Sequence, residues 1–267
     1  MTTVSVVIPT WSAGCPRRSA AFEQAERVRR MKRIAIVQSN YIPWKGYFDL
    51  ITHVDEFMLF DDVQYTDRDW RNRNRIKMAT GLKWLSVPVK RGPRSQLINE
   101  VEISDPEWRI AHWRILAQAY RKASCFDEMA PIVEELYQKC KSDKLSAVNR
   151  HFLKGICLIL GIRTNLTRSE DYGAEGSKTE RLVDLCQKAG ADQYVTGPAA
   201  RSYLDESLFR QAGIEVRWFD YSGYSEYPQL HPPFDHQVTV LDLILNTGQA
   251  AAGYLKGVVR ATTADPE

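Results

Sequence analysis

Apolar and polar positions change period along the chain, and the changes mark out its elements. Ile34, Ala35, Ile36 and Val37 form an apolar run that stops abruptly at Gln38-Ser39-Asn40-Tyr41, and a Pro-x-x-Gly turn follows from Pro43 to Gly46. A second apolar run, Phe57 to Phe60, ends at Asp61 and Asp62. Short apolar runs bounded by turn residues read as buried strands. A strand is therefore expected at about 32–38, a helix at 46–53 and a second strand at 56–61. Lys83 to Val89 alternates as a strand, and residues 96–103 are expected to pair with it as a hairpin across Gly92-Pro93. Asp105-Pro106-Glu107 predicts a helix start, with Asp as N-cap, Pro at the first helical position and an acid in the first turn. Trp108, Ala111, Ile115, Ala119 and Tyr120 then recur at helical spacing. Further helices are expected at 127–141 and 144–160, the second stopped by Gly161.

Beyond Gly161, strands and helices alternate again. A strand is expected at Ile162–Leu166, then a helix opened by a Ser177-Lys178-Thr179-Glu180 capping box and carrying Leu182, Cys186 and Ala189. Asp192–Thr196 predicts a strand that breaks at Gly197-Pro198. A helix at 202–212, a strand at Ile214–Phe219, an aromatic loop at 221–236 and a helix at 238–247 complete the series. The whole predicts an α/β fold, Rossmann-like, with a mainly parallel sheet flanked by helices, a mostly helical block at about 105–160 and a short β-hairpin. In such sheets ligands bind outside the carboxyl ends of the strands, where both early strands deliver polar side chains. Residues 31–257 are read as a single domain, 1–30 as a leader outside the core, and 258–267 as a flexible tail. The leader's Thr-Val-Ser-Val-Val-Ile-Pro-Thr resembles the opening strand of family-2 glycosyltransferases, without the rest of that domain.

Charge changes the picture only after it is divided. The chain carries a net +3, and residues 1–30 alone hold five Arg and two Glu, so the remainder is neutral. That argues against nucleic acid as the main partner, leaving RNA as a minor alternative for the Arg-rich segment. No apolar run approaches the roughly 20 residues of a membrane span, and the cytoplasm is the expected location. The five cysteines (Cys15, Cys125, Cys140, Cys157, Cys186) include no CxxC and no zinc-type spacing. Buried structural thiols are the expected reading, and no metal is assigned.

The chemistry-bearing residues cluster early. Asp61 and Asp62 end a strand beside Gln64, near Gln38. Adjacent strand residues face opposite sides, so one carboxylate is expected in a site as a general base or a binder of an amine or hydroxyl. The alternative is a turn in which Asp bonds its own backbone. Arg71, Arg73 and Arg75 alternate with Asn72 and Asn74 and in an extended segment share a face. They suit a phosphate or carboxylate, or else form a solvated edge paired with Asp67 and Asp69. Gly197, Arg201 and Tyr203 lie where a strand passes into a helix, either an anion loop or a plain tight turn. The aromatic loop at 221–236 fits a pocket cover or a packed loop, and His231 within it is a candidate for acid–base work. No Ser-His-Asp order, P-loop or GxGxxG fingerprint occurs, and no cofactor is named by any motif.

Several stretches together carry a family resemblance. They are Gln38-x-x-Tyr41-Ile42-Pro43-Trp44-x-Gly46-Tyr47-Phe48, Asp61-Asp62-Val63-Gln64-Tyr65, Arg71-Asn72-Arg73-Asn74-Arg75-Ile76-Lys77, Trp84-Leu85-x-Val87-Pro88-Val89 and Val240-Leu241-Asp242-Leu243. The chain resembles the WbqC-like family from about residue 32 to 255. The resemblance implies a biosynthetic enzyme associated with surface-polysaccharide or other small-molecule clusters. More loosely, Pro43–Tyr47 resembles the Pro-x-His-x-Gly-His stretch of HIGH-type nucleotidyltransferases. Trp44 and Tyr47 stand where that group has its phosphate-contacting histidines, while Gly46 is kept, and Lys45 adds a charge at a helix start suited to an anion. The resulting expectation is a group-transfer enzyme for acyl, aminoacyl or nucleotidyl transfer to an amino-sugar, amino-acid or nucleotide-linked intermediate. In it Lys45, Asp61, Asp62 and His231 do chemistry, and Gln38, Tyr41, Trp44, Gly46, Tyr47 and the Arg segment bind an anionic or phosphorylated substrate. The alternative is a non-catalytic binding module for a sugar nucleotide or pathway partner.

Overall fold

A computed structural model describes residues 31–257, so the expectations for 1–30 and 258–267 lie outside the described residues. In chain order the elements are β1 (Arg33–Val37), α1 (Lys45–Thr52), β2 (Glu56–Leu59), β3 (Arg73–Met78), β4 (Gly81–Ser86), α2 (Trp108–Tyr120), α3 (Phe126–Lys139) and α4 (Leu145–Ile159). Then come β5 (Asn165–Arg168), α5 (Lys178–Lys188), β6 (Gln193–Thr196), α6 (Glu206–Gln211), β7 (Glu215–Trp218) and α7 (Val240–Thr247). The fold is α/β. Five strands form one parallel sheet in the order β5-β2-β1-β6-β7, and β3 and β4 form a separate antiparallel hairpin.

The strand order places a switch point. The chain steps outward from β1 to β2 and β5, then returns to the other side of β1 for β6 and β7. β1 pairs with β2 from Ile34↔Glu56 through Val37↔Leu59. With β6 it pairs only at Arg33↔Gln193 and Ile34↔Tyr194. The two central strands thus part beyond Ile34, and a crevice opens at their carboxyl ends, where this topology places ligands.

Side chains of the sheet alternate between two layers. Ile34, Ile36, Met58 and Tyr194 pack with Leu182, Leu185 and Cys186 of α5 and Phe209 of α6. Ala35, Phe57 and Leu59 pack with Phe48 and Ile51 of α1, and the same core continues into α2–α4 and α7. Cover on both faces is why β1 and β2 read as continuous apolar runs rather than alternating ones. Among the described residues no helix is long and apolar enough to cross a membrane.

Local details depart from the sequence reading at several points: the helix expected to start from an Asp105 cap begins at Trp108, with Glu107 as N-cap, and the strand expected at Ile162–Leu166 runs over Asn165–Arg168. The hairpin joins Arg73–Met78 to Gly81–Ser86, not 83–89 to 96–103. Gly81 supplies a φ of +110° beside the turn, and closing two residues costs less chain entropy than closing a long loop. The expected pairing survives as a Val89↔Ile103 bridge, with Lys90 N donating to Glu102 O at 2.8 Å and Ser104 N to Pro88 O at 3.0 Å. The Ser177 capping box does not close: Ser177 makes no side-chain cap bond, and Lys178 sits at φ +48°. The helix expected at 202–212 begins at Glu206, because Asp205 Oδ1 accepts from Ser207 N at 2.9 Å and caps it there.

Candidate functional site

The switch point holds a cleft of about 1230 Å³. Gln38 and Asn40 enter it from the end of β1, Asp62 and Gln64 from the end of β2, Gly197 to Ala200 and Tyr203 from the end of β6, and Arg71 from the turn before β3. Ser177, Lys178, Thr179 and Arg181 close it with the start of α5. Arg71 is held by Gln38 Oε1, by Asn40 Oδ1 at 3.3 Å and by Asp69 at 3.4 Å, while its Nε is buried without a partner. Asp62 accepts from the Ser169 hydroxyl and pairs with Arg181 Nη2 at 2.5 Å. Ser177, Lys178 and Thr179 bring the first turn of α5 to the cleft, and the dipole at that helix end favours an anion. Left-handed backbone at a lysine is the kind of strain that collects at ligand clamps. A Cβ at Gly197 would lie 3.1 Å from the Tyr221 ring, so a larger residue there would have to displace that wall slightly.

Beside the cleft lies a second cavity of about 600 Å³, walled by Trp44, Trp70, Tyr221 and Tyr224 and edged by Asn40, Asn74, Arg75, His236 and Gln237. The Trp44 indole leans across Gly46 so closely that any Cβ at 46 would overlap it. Gly46 therefore seats the aromatic wall, and it lines neither cavity. Arg75 donates to Gln237 Oε1 at 2.6 Å and lies over the Trp70 and Trp84 rings at 5.5 Å each. The Nδ1 of His236 is buried and unpartnered, and burial together with the nearby Lys45 charge lowers the imidazole pKa. Asn40 and Tyr221 line both cavities, so they form a common wall.

Other expected site residues lie elsewhere. Asp61, beyond the end of β2, lines neither cavity; it accepts from Ser39 N at 2.8 Å and lines a small void with Arg150 and Ser169. Burial pushes its carboxyl up to about 6, against the pull of the Ser39 bonds. Lys45 is buried and lines neither cavity; its ammonium donates to Ser225 O at 2.7 Å among the Tyr224, Tyr227 and Phe234 rings, and burial lowers its pKa to about 8. It clamps the aromatic loop to α1. His231 lines neither cavity. Tyr41 is sealed in the helical block, its hydroxyl at 2.9 Å from His112 Nδ1 and 2.8 Å from the Tyr137 hydroxyl. Tyr47 donates to Gln38 O at 3.0 Å and supports the cleft from below. Asn72 is buried and bonds Val87 O at 3.0 Å; Asn74 holds Tyr41 O at 3.2 Å and reaches the edge of the aromatic cavity.

The three guanidiniums do not form one ladder. Arg71 precedes β3 and turns to the cleft, whereas Arg73 and Arg75 share a face of β3 beside the tryptophans. Arg201 stacks over Trp218 at 4.7 Å, outside both cavities. The sequence reading missed Arg181, which looks like any polar-face residue of an amphipathic helix, and Trp70, Asn40 and Gln237, whose roles arise only from tertiary placement. His236 was visible beside His231, but only the fold shows which one enters a cavity. Cys140, Cys157 and Cys186 are buried, and burial pushes their thiols to about 11, 12 and 12. Among the described residues no group of three or more His, Cys, Asp or Glu is placed to hold a metal ion.

The model of the WbqC-like protein family matches residues 38–254. The chain is 52% identical over 227 residues to the uncharacterized protein Rv1507c of Mycobacterium tuberculosis, covering 85% of this chain and 98% of that one. No solved structure matches it. The matched span runs from Gln38 at the switch point to Tyr254 beyond α7, and with it the chain belongs to the WbqC-like protein family.

Proposed function

We propose that the protein is a biosynthetic group-transfer enzyme that holds a phosphorylated donor in the switch-point cleft and an acceptor in the aromatic cavity. The observation that carries this reading is the common wall of Asn40 and Tyr221. Two substrates in adjoining cavities meet there already oriented, which removes much of the entropic cost of a bimolecular step. The cleft suits the donor because its phosphate faces the open first turn of α5, Lys178 and Arg71. The aromatic cavity suits an acceptor carrying a hydroxyl or amine.

In the transfer the acceptor's lone pair attacks the donor's acyl carbon or phosphorus. The bond to the phosphate leaving group breaks, and the leaving group keeps that electron pair. Lys178 and Arg71 offset its developing charge. The acceptor's proton passes to His236, which lines the acceptor cavity and whose lowered pKa keeps it neutral at pH 7. Asp62, tied to Arg181 and Ser169, shapes the cleft floor in this scheme.

A binding module is the second reading, favoured by the internal partners that Arg71 and Asp62 already have. Thermal unfolding with nucleoside diphosphate sugars and acyl adenylates tests the donor site. A ligand at about 100 times its Kd stabilises by about 2.7 kcal/mol, a rise of roughly 5–10 °C for a domain of this size. Arg71→Gln should shrink that rise. His236→Asn should abolish turnover and leave the rise intact, and turnover unaffected by that change would refute the assigned proton acceptor. A flat response to every phosphorylated compound overturns the donor site.

A further inference from the structure

The aromatic cavity has a chemistry specific enough to name its ligand class. Its rings are not parallel: Trp44 meets Tyr221 at 45° and Tyr224 at 78°, with centroids 5.6 Å apart in each case. At that spacing the three rings touch and form one folded wall, whose faces turn in different directions toward the cavity. Such a wall suits a puckered ring that offers C–H groups in several directions, with the amides of Asn40 and Gln237 at the edge to exchange hydrogen bonds with hydroxyls. A cavity of about 600 Å³ accommodates a ring of that size with its substituents.

Charge selects further. Arg75 lines the cavity, where its guanidinium donates to the neutral Gln237 amide and lies against two indole rings. Its Nε is buried without a partner. A guanidinium held by rings and an amide keeps its charge available to a carboxylate or phosphate. It also disfavours a cationic ligand.

The surface continues outward along the hairpin. Trp70 and Trp84 are 38% and 41% exposed, with centroids 5.3 Å apart, and Arg73 lies 4.2 Å over Trp84 on the same face of β3 as Arg75. Residues two apart on a strand are about 7 Å apart, so a second cation and a second aromatic face repeat the cavity's pattern just beyond its rim.

We propose that this surface binds an acidic sugar acceptor, with one charged pyranose ring in the cavity against Arg75 and the next unit lying over the Arg73–Trp84 pair. The proposal rests on the acceptor role assigned above, but its test needs no donor. Tryptophan fluorescence and calorimetric titration with methyl glucuronide, methyl glucoside, glucose 6-phosphate, galacturonate and digalacturonate read it directly. Charged rings should bind about tenfold or more tighter than the neutral one. That preference should fade with salt, while neutral binding stays unchanged. Arg75→Gln should erase the preference, checked against an unchanged melting temperature. Trp84→Ala should reduce digalacturonate to the affinity of galacturonate and leave the monomer unaffected.

The wild-type salt titration stands even where a variant folds poorly. Equal binding of charged and neutral rings, or no saturable binding of any of these sugars, overturns the proposal. So does tighter binding of adenosine monophosphate in a Trp70-dependent manner. Loss of sugar binding alongside an intact response to phosphorylated donors would refute this inference alone. A flat donor response alongside selective sugar binding would refute the donor site alone.

Discussion

Asp61→Asn should make the protein more stable at pH 7. Asp61 is buried, accepts from Ser39 N at 2.8 Å and, among the described residues, has no cation in hydrogen-bond contact. Burial lifts its carboxyl from 3.8 to about 6, with Ser39 and then Arg71 pulling the other way. The folded state therefore holds this proton more tightly than the unfolded chain. The group's favourable contribution is complete below about pH 4 and is lost as pH rises through about 6. At about 1.4 kcal/mol per pH unit, the gap corresponds to roughly 3 kcal/mol at neutral pH, an upper figure because the protein can relax around the charge. Asparagine has the shape of the protonated acid and no charge to bury, and its Oδ1 can still accept from Ser39. Urea denaturation at pH 4, 5, 6 and 7 and constant ionic strength would measure the difference between wild type and variant. It should be near zero at pH 4 and grow to between 1 and about 3 kcal/mol in favour of Asn by pH 7. A difference that is constant with pH, or a wild type more stable than the variant at pH 7, would refute the reasoning.

Tyr41→Phe removes a hydroxyl shared by His112 and Tyr137. Two buried groups lose a partner, so unfolding should become easier by about 1–3 kcal/mol with no change in ligand binding; a loss of binding at unchanged stability would return Tyr41 to the site. Gly46→Ala drives a methyl into the Trp44 indole. It should cost about 1–3 kcal/mol and weaken binding in the aromatic cavity, whereas unchanged fluorescence of Trp44 would show that the wall does not depend on it. Lys45→Gln should raise amide exchange across 221–236, whose rings surround the ammonium, and leave β1 and β2 protected. Equal protection of the loop in both proteins would contradict the clamp.

The sheet was legible because burial on both faces writes itself into sequence. Ile34–Val37 and Phe57–Leu59 are apolar without interruption, and polar residues mark where each strand leaves the core. The helical block was legible from the spacing of Trp108, Ala111, Ile115, Ala119 and Tyr120, of which Trp108, Ala119 and Tyr120 are buried. The hairpin was misread because its strands carry Arg, Asn and Lys on faces covered by tertiary contacts, such as Lys77 N donating to the Tyr120 hydroxyl at 3.1 Å. Within the site, the polar ends of β1 and β2 pointed to Gln38, Asp62 and Gln64. What the sequence did not reveal was direction. Lys45 and Trp44 are neighbours, yet one turns into the aromatic loop and the other walls a cavity. Arg71 and Arg73 diverge because the first lies in a turn and the second in a strand. Contacts between segments far apart in the chain, such as Asp62 with Arg181, leave no local pattern.

The structure of a complex with a nucleoside diphosphate tests the two-cavity arrangement most directly. The pyrophosphate should lie between Arg71 and the amides of Lys178 and Thr179, with its terminal phosphate toward Asn40 and Tyr221. Density for it on the basic groove of Arg33, Arg217 and Lys256 instead, with the switch-point cleft empty, would contradict the account.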